Sequence, residues 1–269
     1  MLVPTVLTIA GFDPSGGAGI IADIKTLAVF GSKPTAAITS ITFQNAHGIQ
    51  GATHQTVETV REQIMAVIAE SRVAAVKTGM LPTREIVGEV ARLIREVHLP
   101  GPVVDPVLQS TSGYALMESD AIELLLAELM PLARVITPNI SEAETLAVGL
   151  RIEDEEGMRE AASRLREMGA RAVLIKGGHL EQQKAEGKKQ KAENAGAGFQ
   201  AIDVLDDEGR VTVFRGEWID APPVRGTGCM LSAAIAACLG KGMELEESVR
   251  VAKEFVANAI RRSKLQIQD

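Results

Sequence analysis

A glycine-paired turn, Arg225-Gly226-Thr227-Gly228-Cys229, runs directly into Met230-Leu231-Ser232-Ala233-Ala234-Ile235-Ala236-Ala237, a helix of small residues. Gly226 and Gly228 can take backbone angles closed to other residues. Consecutive N–H groups around Thr227 can then converge on one point at a helix N-terminus, where the dipole also favours negative charge. The spacing predicts an anion hole, and a phosphate in transfer is the guest that suits it.

Phosphate chemistry is often announced by a P-loop, and Gly11-Phe12-Asp13-Pro14-Ser15-Gly16-Gly17 comes close, with Gly17 where the lysine belongs. A Walker-type NTPase is excluded on that residue. A dinucleotide fingerprint also fails, because Leu231 follows the Gly226/Gly228 pair where a third glycine is required. The remaining candidates lie elsewhere. Gly11 to Gly19 groups glycines after an apolar run and opens a segment of helical period carrying Asp23, which alone reads equally as a solvated helix residue. Gln44-Asn45 offers amide donors and acceptors to a heterocycle, although loop amides are also ordinary turn residues. Lys77-Thr78-Gly79-Met80 places a lysine where it can simply snorkel at a sheet edge. Asp105-Pro106-Val107 puts a carboxylate where Mg²⁺ would find an oxygen ligand. Asn139 and Glu142, three apart across a helix start, can face one cleft and hold a metal-bound water or a phosphate. Lys176, before Gly177-Gly178-His179, can meet nucleotide phosphates as a point charge.

The elements that must position these residues follow from the hydrophobic pattern. Short apolar runs alternate with segments of helical period, the signature of βα units and a mostly parallel sheet. Strands are predicted at Thr5–Ala10, Ala36–Phe43, Val73–Lys77, Pro102–Asp105, Val135–Thr137 and Ala172–Lys176. Helices are predicted at Ala18–Phe30, Val57–Ala69, Arg84–Val97, Asp120–Leu129, Ser141–Val148 and Glu155–Met168, with Ser141 and Glu144 spaced as a capping box. A hairpin of Ala201–Leu205 and Arg210–Phe214, turned at Asp206 to Gly209, precedes the glycine-paired turn and final helices reaching about Ser263. The polar stretch Glu181 to Gly198 is expected to be a flexible loop within a single domain spanning residues 1–269. The candidate residues then all fall at carboxyl ends of successive strands, where open α/β sheets bind ligands.

Composition narrows the partners. The 269 residues are 46% hydrophobic, enough for a large buried core, and carry a net charge of −7 with no basic patch interleaved with aromatics. Nucleic acid is excluded on that balance, and small solutes fit. Cys229 and Cys238 form no C-x-x-C, and the histidines have no metal-ligand spacing. The opening Met1-Leu2-Val3-Pro4 lacks a signal-peptide pattern, and no apolar run is of membrane-spanning length, so a cytoplasmic location without membrane contact is expected.

Thr8 to Ile20 with Ala22-Asp23-Ile24-Lys25-Thr26 closely resembles the opening of the hydroxymethylpyrimidine and phosphomethylpyrimidine kinases of thiamine synthesis, in the ribokinase-like superfamily. The motifs at Gln44, Lys77, Asp105, Thr137 to Glu142, Lys176 and Gly226 recur in the family's order, over nearly the whole chain. The resemblance implies a three-layer α/β/α fold and one site that phosphorylates 4-amino-5-hydroxymethyl-2-methylpyrimidine, then its monophosphate, with ATP and Mg²⁺. It also implies that Gln44 hydrogen-bonds the pyrimidine, Asp23 lies near the substrate's polar groups, Gly11 opens the substrate loop, and Met80 and Val107 sandwich the ring. Asp105, Asn139 and Glu142 would organise Mg²⁺ and its waters, with Lys176 on the ATP side. Gly226, Thr227 and Gly228 would form the anion hole. Dimers are common in such kinases, so a homodimer is possible here.

Cys229 would sit where sugar kinases of the superfamily carry an aspartate base. A thiol at a helix N-terminus can have its pKa lowered toward neutrality and accept the hydroxyl proton as thiolate, whereas the plainer reading is a small space-filling residue. The chain departs from the family at Asp220-Ala221-Pro222-Pro223-Val224-Arg225, where polar residues ending in histidine are common. Arg225 either supplies a charge to a phosphate or flanks the turn at the surface. Ala46-His47 and the charged stretch after His179 are further departures. Two other functions fit the residues: a pyridoxal kinase of the same superfamily, and a non-catalytic pyrimidine-binding regulatory module.

Overall fold

The computed structural model describes residues 3–45, 47–110, 112–178, 200–221 and 224–265; the loop predicted at 181–198 lies outside them. The strands are β1 (Thr5–Phe12), β2 (Lys33–Asn45), β3 (Gly48–His54), β4 (Val73–Thr78), β5 (Val103–Val104), β6 (Val135–Ile136), β7 (Ala172–Lys176), β8 (Gln200–Asp207) and β9 (Arg210–Glu217). The helices are α1 (Gly19–Val29), α2 (Val57–Glu70), α3 (Arg84–Glu96), α4 (Ser119–Leu124), α5 (Ile140–Leu146), α6 (Glu155–Glu167), α7 (Thr227–Gly240) and α8 (Leu245–Leu265). A π-helical turn at Leu125–Leu129 and a 3-10 turn at Met130–Leu132 extend α4. All nine strands form one sheet in the order β3-β2-β1-β4-β5-β6-β7-β8-β9. β2 through β7 pair in parallel, and the two margins are antiparallel.

Alternating strand residues feed two cores on opposite faces of this sheet, which makes three layers. Leu7, Ile9, Val76, Val104, Ile136 and Val173 face one core, with residues of α2, α3, α5 and α6. Val6, Ala75, Val103, Val135, Ala172 and Leu174 face the other, with α7 and α8. The chain steps from β1 to β2 in one direction, then returns across β1 to β4 and continues the other way. Right-handed crossovers therefore place α1 and α2 on opposite faces and leave an opening where the order reverses, beside the carboxyl end of β1.

α7 explains its own composition. Its buried run Ser232 to Cys238 lies in the second core, and the helix meets α1, β1, β4, β5 and α8. A helix so enclosed must approach its neighbours closely, and alanine permits that. Even Gly240, at its end, lies so that a Cβ would stand 3.3 Å from Val6 and 3.4 Å from Ala75.

Four expectations change. β3 is absent from the prediction because Gly48-Ile49-Gln50-Gly51-Ala52-Thr53-His54 has no apolar alternation; it is a half-exposed margin strand held by its pairing with β2. The helix predicted at Asp120–Leu129 is α-helical only to Leu124. The capping box of α5 is made by Asn139 and Glu142, two residues earlier than Ser141 and Glu144; Glu144 Oε1 accepts the Ile152 amide instead. The hairpin turn is confined to Glu208-Gly209, both at positive φ (54° and 94°), as a two-residue primed turn requires. Pairing of β7 with β8 joins the parts of the chain before and after the predicted loop into one sheet.

Ala236, fully buried in α7, cannot accept a larger side chain without displacing the strands beneath it. Ala236→Leu is expected to destabilise the protein by roughly 1–3 kcal/mol in urea unfolding; an unchanged midpoint would refute the close packing of α7.

Candidate active site

A cleft of about 1370 Å³ opens along the carboxyl ends of β1, β4, β5, β6 and β7 and extends between β9 and α8. Gly11, Gln44, Met80, Asp105, Val107, Asn139, Glu142, Lys176, Arg225, Gly226, Thr227, Gly228 and Cys229 all line it. Asp23 is the exception. It has no exposed surface, and its carboxylate accepts from Thr8 Oγ1 at 2.6 Å and from Lys77 Nζ at 2.8 Å, beneath the cleft floor. Its expected place beside the substrate's polar groups is therefore corrected: Asp23 holds Lys77.

Lys77 is not snorkelling at an edge. It too has no exposed surface, while its residue lines the floor of the cleft. Burial works against its charge, but Asp23, Cys229 and Asp105 outweigh burial and keep the ammonium protonated. Gly79 makes room for it, since a Cβ there would lie 2.7 Å from Lys77 Nζ. Gly11 likewise makes room for Met80, whose sulfur would be 2.9 Å from a Cβ at position 11.

A second lysine is held in the same manner at the end of β7. Lys176 Nζ is 2.9 Å from Asp105 Oδ1 and 4.0 Å from Glu142 Oε2. Thr137 Oγ1, at the end of β6, and Ser232 Oγ, on α7, each lie 3.4 Å from the Asp105 carboxylate. Burial alone would raise the Asp105 pKa, but the ammonium groups of Lys176 and Lys77 hold it below the usual carboxylate range. Glu142 moves the other way. Burial, reinforced by the Asp105 charge, outweighs Lys176 and pushes it up to about 7. Glu142 Oε2 accepts the Asn139 amide at 2.7 Å while Asn139 Oδ1 accepts the Glu142 amide at 2.9 Å, so the motif that caps α5 also aims both residues at the cleft.

The glycine-paired turn has the expected left-handed backbone at Gly226 and differs at Gly228. Gly226 is the N-cap of α7 at φ 75°, and a Cβ there would stand 2.2 Å from the Gly17 carbonyl oxygen. Gly228 lies inside the helix; its small size matters because a Cβ would come within 3.3 Å of Lys176 Nζ. Whereas α2, α3, α5 and α6 start with side-chain caps, α1 and α7 have none among the described residues, and both starts line the cleft. In α1 the Gly19 amide faces the Cys229 sulfur, whereas the first amides of α7 are left to a ligand or water.

Cys229, in the first turn of α7, keeps partial contact with solvent. Its expected shift toward neutrality is reversed. Desolvation by the surrounding protein, with the charges of Asp23 and Asp105, pushes the thiol up to about 11, against the lowering by Lys77 and by the Gly19 amide. Arg225 is also not a free phosphate ligand. Its guanidinium donates to Asp13 Oδ2 at 3.0 Å, Ser15 Oγ at 3.1 Å and the Asn45 carbonyl at 2.9 Å.

The sequence reading missed the far wall of the cleft. Asp203 on β8 accepts the Gly177 amide at 2.9 Å and pairs with Lys253 of α8. Phe214 on β9 lies under the Arg250 guanidinium, 5.9 Å from the ring centroid. These residues join the site only through the β8–β9 hairpin folding beside α8, and no local motif marks them. Among the described residues no group of three or more His, Cys, Asp and Glu side chains forms a ready metal cage.

A three-layer α/β/α sheet with uncapped helix starts and paired lysines at its strand ends defines a ribokinase-like kinase fold. Comparison with known proteins resolves the class further. The chain belongs to the phosphomethylpyrimidine kinase family, whose model matches residues 13–269. It is 42% identical to the hydroxymethylpyrimidine/phosphomethylpyrimidine kinase of Streptomyces coelicolor, over 96% of this chain and 88% of that one. Among solved structures, it resembles the phosphomethylpyrimidine kinase of Clostridium difficile 630 with a TM-score of 0.79 and 35% identity, over 96% and 99% of the two chains. It also resembles an ADP complex of Bacillus subtilis pyridoxal kinase with a TM-score of 0.80 and 36% identity, over 94% and 90%.

Two tests follow from the buried charges. Removing one partner of the Lys77–Asp23 pair leaves the other charge buried and uncompensated, so Lys77→Met and Asp23→Asn are each expected to lose about 3–5 kcal/mol in urea unfolding. The double variant Asp23→Leu/Lys77→Met should recover a large part of that loss; equal and additive losses would show that the two side chains do not act as a pair. Glu142 bears on pH. Because the folded protein raises its pKa from 4.5 to about 7, the fold favours the protonated form. The stability it contributes is complete below pH 4.5 and falls as pH rises through 7. Glu142→Gln, which can still accept the Asn139 amide, should therefore gain stability relative to the parent between pH 5 and pH 8, by up to about 3 kcal/mol. Parallel unfolding curves at both pH values would contradict the raised pKa.

Proposed function

We propose that this protein transfers the γ-phosphoryl group of ATP to the hydroxymethyl oxygen of 4-amino-5-hydroxymethyl-2-methylpyrimidine, and then phosphorylates the resulting monophosphate, in thiamine biosynthesis. One observation carries the reading: a single cleft joins an amide and apolar wall at Gln44, Met80 and Val107 to the uncapped start of α7 and the Lys176–Asp105 pair. A flat nitrogen heterocycle suits the first end, stacking between Met80 and Val107 with its polar edge on the Gln44 amide. A phosphoryl group suits the other, where the backbone amides of Thr227, Gly228 and Cys229 receive its developing charge.

In the reaction, the substrate hydroxyl oxygen attacks the γ-phosphorus, the bond to the β-phosphate bridging oxygen breaks, and ADP leaves. The hydroxyl proton goes to Cys229 when its sulfur is present as thiolate. Lys77 and the Gly19 amide favour that form, although with a pKa of about 11 the thiolate is scarce at neutral pH. Lys176 faces the nucleotide phosphates from the side of Asp105. Asp105 and Glu142, with Asn139, suit Mg²⁺ bound through water: their two carboxylates share the one Lys176 ammonium, so an ionised Glu142 leaves a negative charge that a cation would offset. Bound there, the metal would neutralise phosphate charge. A cytoplasmic location and a homodimer belong to the same reading and rest on the resemblance.

A second reading is supported by the fold likeness to Bacillus subtilis pyridoxal kinase. Pyridoxal also presents a hydroxymethyl group on a six-membered nitrogen ring, and Gln44 and Met80 set no evident barrier to it.

ADP release measured with the pyrimidine, its monophosphate and pyridoxal separates these functions. The pyrimidine and its monophosphate are expected to be turned over with kcat/KM above that of pyridoxal; binding of the pyrimidine without ADP release would favour a regulatory module instead. Cys229→Ala should lower kcat by roughly 10²–10⁴ with pyrimidine affinity retained. Parent turnover should rise with pH between 7 and 9 and that of the variant should not. Equal pH profiles would remove the base role.

A further inference from the structure

The residue that departs from the family pattern, Arg225, is half-buried at the cleft and makes three side-chain hydrogen bonds. Its guanidinium reaches two segments far apart in sequence: the glycine-rich loop after β1, through Asp13 and Ser15, and the end of β2, through the Asn45 carbonyl. Asp13 is almost wholly buried, at 2% exposure, and is shared. Its Oδ1 accepts the Ser15 amide at 2.9 Å and hydroxyl at 2.7 Å, closing the loop on itself, while Oδ2 accepts from Arg225. The main chain of Arg225 leads straight into Gly226, the residue whose backbone sits against the Gly17 carbonyl. Asn45 is the immediate neighbour of Gln44, and the β2–β3 register shifts between Phe43 and Gln44. Gln44 is therefore set by local, irregular pairing, and the guanidinium holds the peptide on its far side.

We propose that Arg225 is a positioning residue that ties the acceptor-binding walls, Gly11 to Gly19 and Gln44-Asn45, to the phosphate-holding turn at Gly226. Three directional bonds from one planar guanidinium fix the distance between the ring pocket and the anion hole, and so fix the reach of the acceptor oxygen to the phosphorus. Three of its five N–H donors, both of those on Nη1 among them, are engaged by protein oxygens. Lysine presents a single point charge and can reproduce only one of these bonds. The proposal rests on the kinase reading for its kinetic consequence, but the tie itself is a property of the ligand-free chain.

The experiment compares the parent with Arg225→Ala, Arg225→Lys, Asp13→Asn and Arg225→Ala/Asp13→Asn. Hydrogen exchange on the ligand-free proteins is read first, because it does not depend on activity. Peptides covering residues 11–19 and 42–45 are expected to exchange at least tenfold faster in Arg225→Ala and to a lesser degree in Arg225→Lys, with α3 and α6 unchanged. Unchanged exchange in both segments overturns the proposal, and if Arg225→Ala does not fold, Arg225→Lys and Asp13→Asn decide it by the same reading. In steady-state kinetics with ATP and whichever acceptor the parent turns over, Arg225→Ala should raise the acceptor KM about tenfold and lower kcat, leaving the ATP KM within twofold. The double variant should be no worse than Arg225→Ala, since both remove one tie. A raised ATP KM with an unchanged acceptor KM would instead make Arg225 a phosphate ligand, and multiplicative losses would dissolve the link to Asp13. A parent that turns over no acceptor fails the kinase reading alone, because the exchange result still decides the tie.

Discussion

Two lysines carried into the protein at strand ends, each neutralised by one carboxylate, set the terms for the rest of the site. An isolated ammonium in such surroundings would lose its proton or draw in water. Lys77 keeps its charge because Asp23, itself oriented by Thr8, meets it from α1, and Lys176 because Asp105 meets it from the end of β5. Each pair spans elements brought together only by the sheet order, β1 beside β4 and β5 two strands from β7. The first pair therefore ties α1 to the sheet, the second ties two strand ends within it, and each is charge-balanced by its carboxylate. Such pairs contribute little net stability relative to apolar replacements, which suits an interpretation in which they are retained for the field they create.

Packing of that density leaves no room for ordinary side chains at the crossing points, and the glycines answer to different needs. Gly226 requires both a left-handed backbone and the absence of a Cβ facing Gly17. Gly79 and Gly228 have ordinary backbone angles and matter only as vacated space, beside Lys77 and Lys176 respectively. Gly228 thus illustrates a limit of reading motifs as conformational signals: the same G-x-G spelling contains one residue chosen for φ and one for proximity.

Much of the architecture is legible in the sequence because parallel strands buried on both faces write themselves as apolar runs, and the strand ends follow from where those runs stop. Thr5, Val73 and Ala172 begin strands in the structure where the pattern begins them. β3 is illegible for the converse reason, since a margin strand needs no buried face and Gly48 to His54 has none. At the site, Gly226, Asp105, Asn139, Glu142 and Lys176 are found because their neighbours in sequence signal a strand end or a helix start. Asp203, Lys253 and Asp13 act through partners distant in the chain, and nothing beside them hints at those partners. Asp23 and Lys77 fail differently: each is visible, but burial below the floor is a property of the assembled layers. The same holds for Cys229, whose helix-start position argues for a lowered pKa while desolvation and two carboxylates decide the opposite.

A charge count connects the floor to the reaction. The Asp23–Lys77 pair is neutral, and the ammonium of Lys176 stands between Asp105 and Glu142, so an ionised Glu142 leaves that end of the cleft one negative charge in excess. Burial is the main cause of the raised Glu142 pKa of about 7, and the Asp105 charge adds to it. An incoming polyphosphate adds further negative charge beside it, and the partial positive charge of a helix start, about half an elementary unit, is too small to balance the sum. Either Glu142 takes up a proton or a cation accompanies the nucleotide. A divalent ion held there, as proposed above, would offset both sources of repulsion and favour the carboxylate form of Glu142. On the proposed reading, nucleotide binding there would be coupled to pH through Glu142, whereas the end of the cleft lined by Gln44, Met80 and Val107 presents amide and apolar groups.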